Sequence, residues 1–225
     1  MQTQAPTRPL ADLVIAFAVV IGVLAVSVIA FLNPVWVAFE QGRAEAAAWT
    51  GFDETDLRTV TDAILSDLVL GPPAFDVALD GEPVLNDRER SHMRDVRTIF
   101  MGFFGVAAVL GVAALTIAAR RRDAVGRART WGAVRAGALA LVVALVVVGA
   151  GALVAFDVLF EIFHSIFFAG GTYTFDPSTE RLVQLFPFRF WQETAIAVGV
   201  VAVVLGAIVA LVATRRRGSA LVVAG

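Results

Sequence analysis

Two histidines occur among the 225 residues, His92 and His164, and each stands just outside a charge-free apolar stretch. Histidine's unperturbed pKa of about 6.5 makes it the side chain that gains or loses a proton most readily near neutrality. His92 lies seven residues before Ile99, where one stretch begins, and His164 lies eight residues after Phe156, where another ends. On helices these offsets correspond to ~10 and ~12 Å. If the stretches cross a membrane, both imidazoles stand near the boundary between headgroups and hydrocarbon, where the ester linkages of lipids lie. Two imidazoles at that height can take a proton from a nucleophile and return one to a departing alkoxide.

The residues around them bear on that chemistry. Asp95 is one turn from His92, with Arg94 beside it, and Asp157 and Glu161 share a helix face with His164. Asp157 and Glu161, like charges one turn apart, repel unless one is protonated or Arg94 or Arg189 neutralises them. A carboxylate so placed can orient an imidazole, as acidic partners do in hydrolytic triads. The opposite face, Phe160, Phe163 and Phe167, is expected to point toward lipid. Two other readings stand beside the acid–base pair. The histidines can satisfy local hydrogen bonds only, or can bind a metal with Asp95, Asp157 or Glu161, a spacing that is not diagnostic. The pair is the expectation, with no metal and no cofactor. Ser91 and Ser165 adjoin the histidines, but adjacent helix positions point apart, so helix-surface serines are expected. The absence of cysteine excludes an acyl thioester on the enzyme and any disulfide.

The elements that position these groups are apolar helices. Leu13 to Leu32, Ile99 to Ala119, Ala136 to Phe156 and Ala195 to Ala213 carry no charge, and each is about the ~20 residues a helix needs to cross ~30 Å of hydrocarbon. An apolar fraction of 58% and a mean hydropathy of +0.79 agree. The first span is longer than a typical signal-peptide core and Ala44-Glu45-Ala46 lies far beyond it, so it is expected to remain as an anchor. Orientation follows from arginine, since the chain has no lysine. Arg120, Arg121, Arg122, Arg127, Arg129 and Arg135 join spans two and three, Arg215, Arg216 and Arg217 follow span four, and Arg8 precedes span one. The positive-inside rule makes these ends, and both termini, cytoplasmic. The remaining loops then face outward; Asn33 to Thr98 holds 13 acidic residues against 6 arginines. A net charge of −2 supplies no basic surface for nucleic acid. No span carries an internal charge to mark a transport route. Gly149, Gly151, Gly199 and Gly206 are expected to allow close helix packing.

Within the first outer loop, Asp53 caps a helix whose Leu57, Val60, Ile64 and Leu68 fall on one face, and Gly71-Pro72-Pro73 stops it. Phe75 to Leu79 and Glu82 to Leu85 flank Asp80-Gly81, a hairpin turn pair. Asn86 and Glu89 form a variant capping box, after which the run from Asp87 to Ala119 predicts a rod of about 50 Å that projects beyond the bilayer. In the second loop, Asp176-Pro177 begins a short interfacial helix with Leu182, Val183, Leu185 and Phe186 on its apolar face. Phe186-Pro187-Phe188-Arg189-Phe190-Trp191 then forms an aromatic cluster suited to headgroup level, expected as a floor or lid beside the histidines. The whole is an all-α integral membrane protein, one membrane domain over residues 1–225 with four transmembrane helices. Its spans fall at about 13–32, 99–119, 136–156 and 195–213, the outer helical and hairpin loops at 33–98 and 169–194, and the inner loop at 120–135.

Ser-His-Met-Arg-Asp-Val at 91–96, Phe-His-Ser-Ile-Phe-Phe at 163–168, and Phe-Asp-Pro through Leu-Phe-Pro-Phe-Arg-Phe-Trp at 175–191 resemble the signature blocks of a bacterial integral membrane family, that of the lipoprotein intramolecular transacylase, Lit. The resemblance runs the length of the chain in order; Tyr173 departs from it, where tryptophan is frequent. It implies a membrane acyltransferase of the bacterial cytoplasmic membrane with its site at the outer face. The reaction implied moves the sn-2 acyl chain of a lipoprotein's diacylglyceryl-cysteine to that cysteine's own α-amine, giving the lyso form. Diacylated bacterial lipoproteins and membrane lipid are then its partners. The family's two histidines map onto His92 and His164, with Asp95, Asp157, Glu161 and Arg94 in support and Tyr173, Phe188, Arg189 and Trp191 lining the substrate. A lipid ester hydrolase differs only in its acceptor, and a non-catalytic four-helix accessory or lipid-binding protein is the alternative of another class.

Overall fold

The computed structural model describes residues 7–222; the side chain of Arg8, counted above toward orientation, lies outside them. The order is α1 (Thr7–Ile29), α2 (Pro34–Arg43), α3 (Ala46–Thr50), α4 (Glu54–Val69), β1 (Ala78–Leu79), β2 (Glu82–Pro83), α5 (Asp87–Arg120), α6 (Ala124–Phe167), α7 (Arg181–Leu185) and α8 (Phe188–Val222). Among the described residues, α1, α5, α6 and α8 are long and apolar enough to cross a membrane. Much of their apolar surface faces outward, as at Val109, Leu115, Val147 and Val154, which hydrocarbon tolerates and water does not. The chain is an all-α integral membrane protein.

The chain divides into two compact units. The first holds Met1–Ser27, Phe103–Ala150 and Gly199–Gly225. Its helices meet through small residues: a Cβ on Gly137 of α6 would stand 2.2 Å from the Ala16 carbonyl oxygen of α1, and one on Gly206 of α8 would stand 2.9 Å from Val142. Gly149, Gly151 and Gly199 face open space, so of the four glycines expected to pack closely only Gly206 does, and Gly137 is the tightest contact. Asp12 pairs with Arg121 at 2.7 Å and Arg129 at 2.9 Å, joining the start of α1 to the ends of α5 and α6. Gly137→Ala is expected to cost about 1–3 kcal/mol by overpacking. Thermal unfolding in detergent checks this, with Gly149→Ala as a control that leaves the midpoint unchanged.

The second unit holds Val28–Gly102 and Gly151–Val198, and contains both histidines. Asp53 caps α4 by accepting from the N–H groups of Thr55 and Asp56, and Leu57, Val60, Ile64 and Leu68 are buried in its core with Phe75, Leu85, Met93, Leu182 and Leu185. Asp80 and Gly81 take φ of 52° and 85°, both left-handed, and turn the short antiparallel pair β1–β2. The capping box forms reciprocally: Asn86 Oδ1 accepts from Glu89 N at 3.0 Å, and Glu89 Oε2 accepts from Asn86 N at 2.7 Å. The other Glu89 oxygen accepts from Leu182 N at 2.6 Å, so one fully buried carboxylate ties the start of α5 to α7.

Three local features depart from expectation. Helices α2 and α3 occupy a stretch left unassigned, although Asn33 and Pro34 are the cap and first-turn signals for α2. Helix α7 begins at Arg181, because Asp176 closes a turn onto Ser178 and Glu180, and its Leu182 and Leu185 are buried in the protein core. Helix α6 is interrupted at Ala155, with φ −143° and ψ 51°, so the helical offset of eight residues from Phe156 to His164 begins just past a break that no sequence signal announced.

Candidate active site

His92 of α5 and His164 of α6 face each other, their ring centroids 6.3 Å apart and their planes within 19° of parallel. Residues 72 positions apart in sequence thus converge within one unit. The rings lie in an aromatic box. Phe168 packs on both, at 4.8 Å from His92 and 5.5 Å from His164. Phe175 meets the edge of His92 at 5.3 Å, while Phe160 and Tyr173 cover His164 at 4.1 and 5.3 Å.

The two imidazoles differ in their hydrogen bonding. His164 Nδ1 lies 2.7 Å from the Phe160 carbonyl oxygen. A carbonyl only accepts, so Nδ1 carries a proton, and a base at this position would act through Nε2. His92 is 7% exposed, and its Nδ1 is buried without a hydrogen-bond partner among the described residues. Burial, followed by the nearby His164 and against the opposing pull of Asp95, pushes the His92 imidazole down to about 4. His92 is therefore neutral at physiological pH. The unfolded chain takes up this proton near pH 6.5 and the folded one only near 4. The stability this adds is fully present above 6.5 and is lost as pH falls through the window. The melting temperature in detergent is expected to drop across that interval, and less steeply for His92→Asn; equal slopes would contradict the burial of a neutral ring.

The surrounding carboxylates are arranged differently from the sequence expectation. Glu161 Oε1 accepts the Tyr173 hydroxyl at 2.8 Å, which raises the tyrosine pKa and keeps it a phenol. Asp157 and Arg94 are exposed, with no side-chain hydrogen bond among the described residues. Asp95 is exposed and acts on His92 through its charge. The inward face of α6 is not a polar stripe. Phe156 and Phe160 turn in with His164, while Asp157, Glu161, Phe163 and Phe167 are exposed. The spacing of four sets Phe160 within about 40° of His164, and burying phenyl rings costs less than burying two like charges.

Phe188 packs on Phe156 and Phe160 at 5.4 and 5.9 Å, one ring removed from His164. Arg189 pairs with Glu193 at 2.7 Å, and Trp191 packs on Phe186 and Phe190. Sequence reasoning missed Phe160, Phe168 and Phe175 as walls and Arg88 as a partner of the loop above them. Spacings of four from His164 and from His92 were the available signal for Phe160, Phe168 and Arg88; Phe175, on a loop, had none.

Comparison with known proteins identifies the family and the fold. A family model described as "Lipoprotein intramolecular transacylase Lit" matches residues 13–191. An in meso structure of the membrane integral lipoprotein intramolecular transacylase Lit from Bacillus cereus is similar in fold, with a TM-score of 0.74 at 17% identity, covering 96% of this chain and 98% of that one. Two structures of that Bacillus cereus protein, with a histidine changed to arginine or to alanine, give TM-scores of 0.71 and 0.72, each at 15% identity over 94% of this chain and over 92% and 94% of theirs. No curated protein matches.

Proposed function

Because the chain belongs to the lipoprotein intramolecular transacylase family, an acyltransferase family whose model it matches over residues 13–191, we propose that it moves the sn-2 acyl chain of a diacylglyceryl-cysteine to that cysteine's α-amine. The observation that supports this most is the imidazole pair, brought from α5 and α6 into one aromatic box at 6.3 Å. An ester carbonyl between the rings leaves water for apolar walls. The α-amine attacks that carbonyl, forming the C–N bond, and His164 Nε2 takes the amine proton. His92, kept neutral, lends an N–H to the oxygen that becomes charged. Collapse breaks the bond to the glyceryl oxygen, which receives the proton from His164. One proton thus moves from nitrogen to oxygen, and no resting acid is needed. Donor and acceptor belong to one molecule, so positioning carries much of the rate.

The arginine-rich ends are cytoplasmic in this reading, and the histidines serve the outer face of a bacterial cytoplasmic membrane. Asp95 adds a charge beside His92, Glu161 holds the Tyr173 phenol against His164, and Phe188 backs Phe160. Mass spectrometry of a synthetic diacylated lipopeptide incubated with the purified protein tests the reaction. The expected product has unchanged total mass, with one acyl chain relocated to the α-amine. Loss of a fatty acid to water would identify a hydrolase, and an unaltered lipopeptide would favour the accessory role.

A further inference from the structure

The loop from Gly171 to Glu180 passes over the ring pair, carrying Tyr173 onto His164 and Phe175 onto His92. A single side chain gathers it. Arg88, one turn before His92 on α5, donates from Nη2 to both oxygens of Glu180 at 2.5 Å and from Nη1 to the Thr174 carbonyl at 2.9 Å. Its guanidinium carbon lies 4.7 Å from the centroid of the Phe175 ring. Glu180 is 8% exposed and also accepts from Asp176 N at 2.6 Å and Asn86 Nδ2 at 3.3 Å, so both ends of the loop's second half close on one carboxylate. Guanidinium, Phe175 and His92 thus follow one another in a line of contacts. A planar fork that bonds two ways and stacks at once suits this place; an ammonium does only part of it.

We propose that Arg88 is a positioning residue for the transfer: it holds the loop so that Phe175 and Tyr173 wall the imidazoles at reacting distance. This rests on the imidazole pair being the reacting centre. The charged and titratable groups facing His92 are His164 from α6 and Asp95 on its own helix; from the loop and the end of α6 it meets the apolar Phe175 and Phe168. Releasing the loop therefore admits water to His92 without bringing a new charge to it.

The full-length protein in detergent, assayed for lyso product from a synthetic diacylated lipopeptide across the acid and neutral range, tests this. Arg88→Ala is expected to lower kcat about 10- to 100-fold with a smaller change in KM, and to move the acid limb of the rate upward as His92 hydrates. Arg88→Lys should recover part of both, and Glu180→Gln should resemble Arg88→Ala, which keeps the test available if the alanine variant fails to fold. Parent-like rate and acid limb in folded Arg88→Lys and Glu180→Gln would overturn the assignment. That result, together with inactive His92→Asn and His164→Asn, would remove the clamp alone; active histidine variants would remove the reading beneath it.

Discussion

His92→Asn and His164→Asn are each expected to lower lyso-form production about 10²- to 10⁴-fold, the range that a positioned acid or base contributes, while the protein still inserts and folds. Asparagine keeps a hydrogen-bonding group of similar size but cannot take up a proton. For His164 it also breaks the relation in which Nδ1–H rests on Phe160 and Nε2 is free to accept. For His92 the shorter amide cannot set a donor where the imidazole N–H meets the oxygen that becomes charged, in a box where Phe168 and Phe175 exclude the water that would replace it. Cells supplying diacylated lipoprotein, with mass spectrometry of its N-terminal peptide, give the readout. Gly137→Ala, whose overpacking lies in the first unit, provides a comparison: it leaves the rings untouched and tests whether loss of stability alone lowers yield.

Glu89→Ala is expected to destabilise the outer unit by about 2–4 kcal/mol, combining loss of a cap with an orphaned buried donor. The carboxylate accepts from the N–H groups of Asn86 and Leu182, and Leu182 is itself buried. Without it, the first turn of α5 and the start of α7 each retain an unmet donor. Glu89→Gln recovers only part, since its NH₂ must confront one of those two N–H groups. Melting in detergent measures the loss, and hydrogen exchange at Leu182 localises it. An unchanged midpoint and a protected Leu182 amide in Glu89→Ala would contradict the role given to this carboxylate.

The spans and the capped helices were legible because their signals are local. Charge-free runs of about 20 residues, the Asp53 cap, the Asp80-Gly81 turn and the Asn86–Glu89 box each depend on neighbours in sequence, and each has its counterpart in the fold. The candidate histidines were visible for the same reason, since rarity and placement beside apolar runs are properties of the chain. What escaped were choices settled by tertiary contact. Whether Asp157 and Glu161 or Phe156 and Phe160 turn inward depends on what α6 meets, and the aromatic side met Phe188 and Tyr173's loop. Arg88 and Glu180 are 92 residues apart, and no periodicity links them. The interruption at Ala155 has no proline to announce it.

The central claim is that two imidazoles act as one unit on one carbonyl, and the double variant His92→Asn/His164→Asn tests it most directly. Lyso-product rates for the parent, both single variants and the double variant are compared on one lipopeptide. A unit predicts that the double variant falls little below the more damaged single one, because removing either ring already disables the transfer. A loss equal to the product of the two single losses, or a parent-like rate in either single variant, would contradict it.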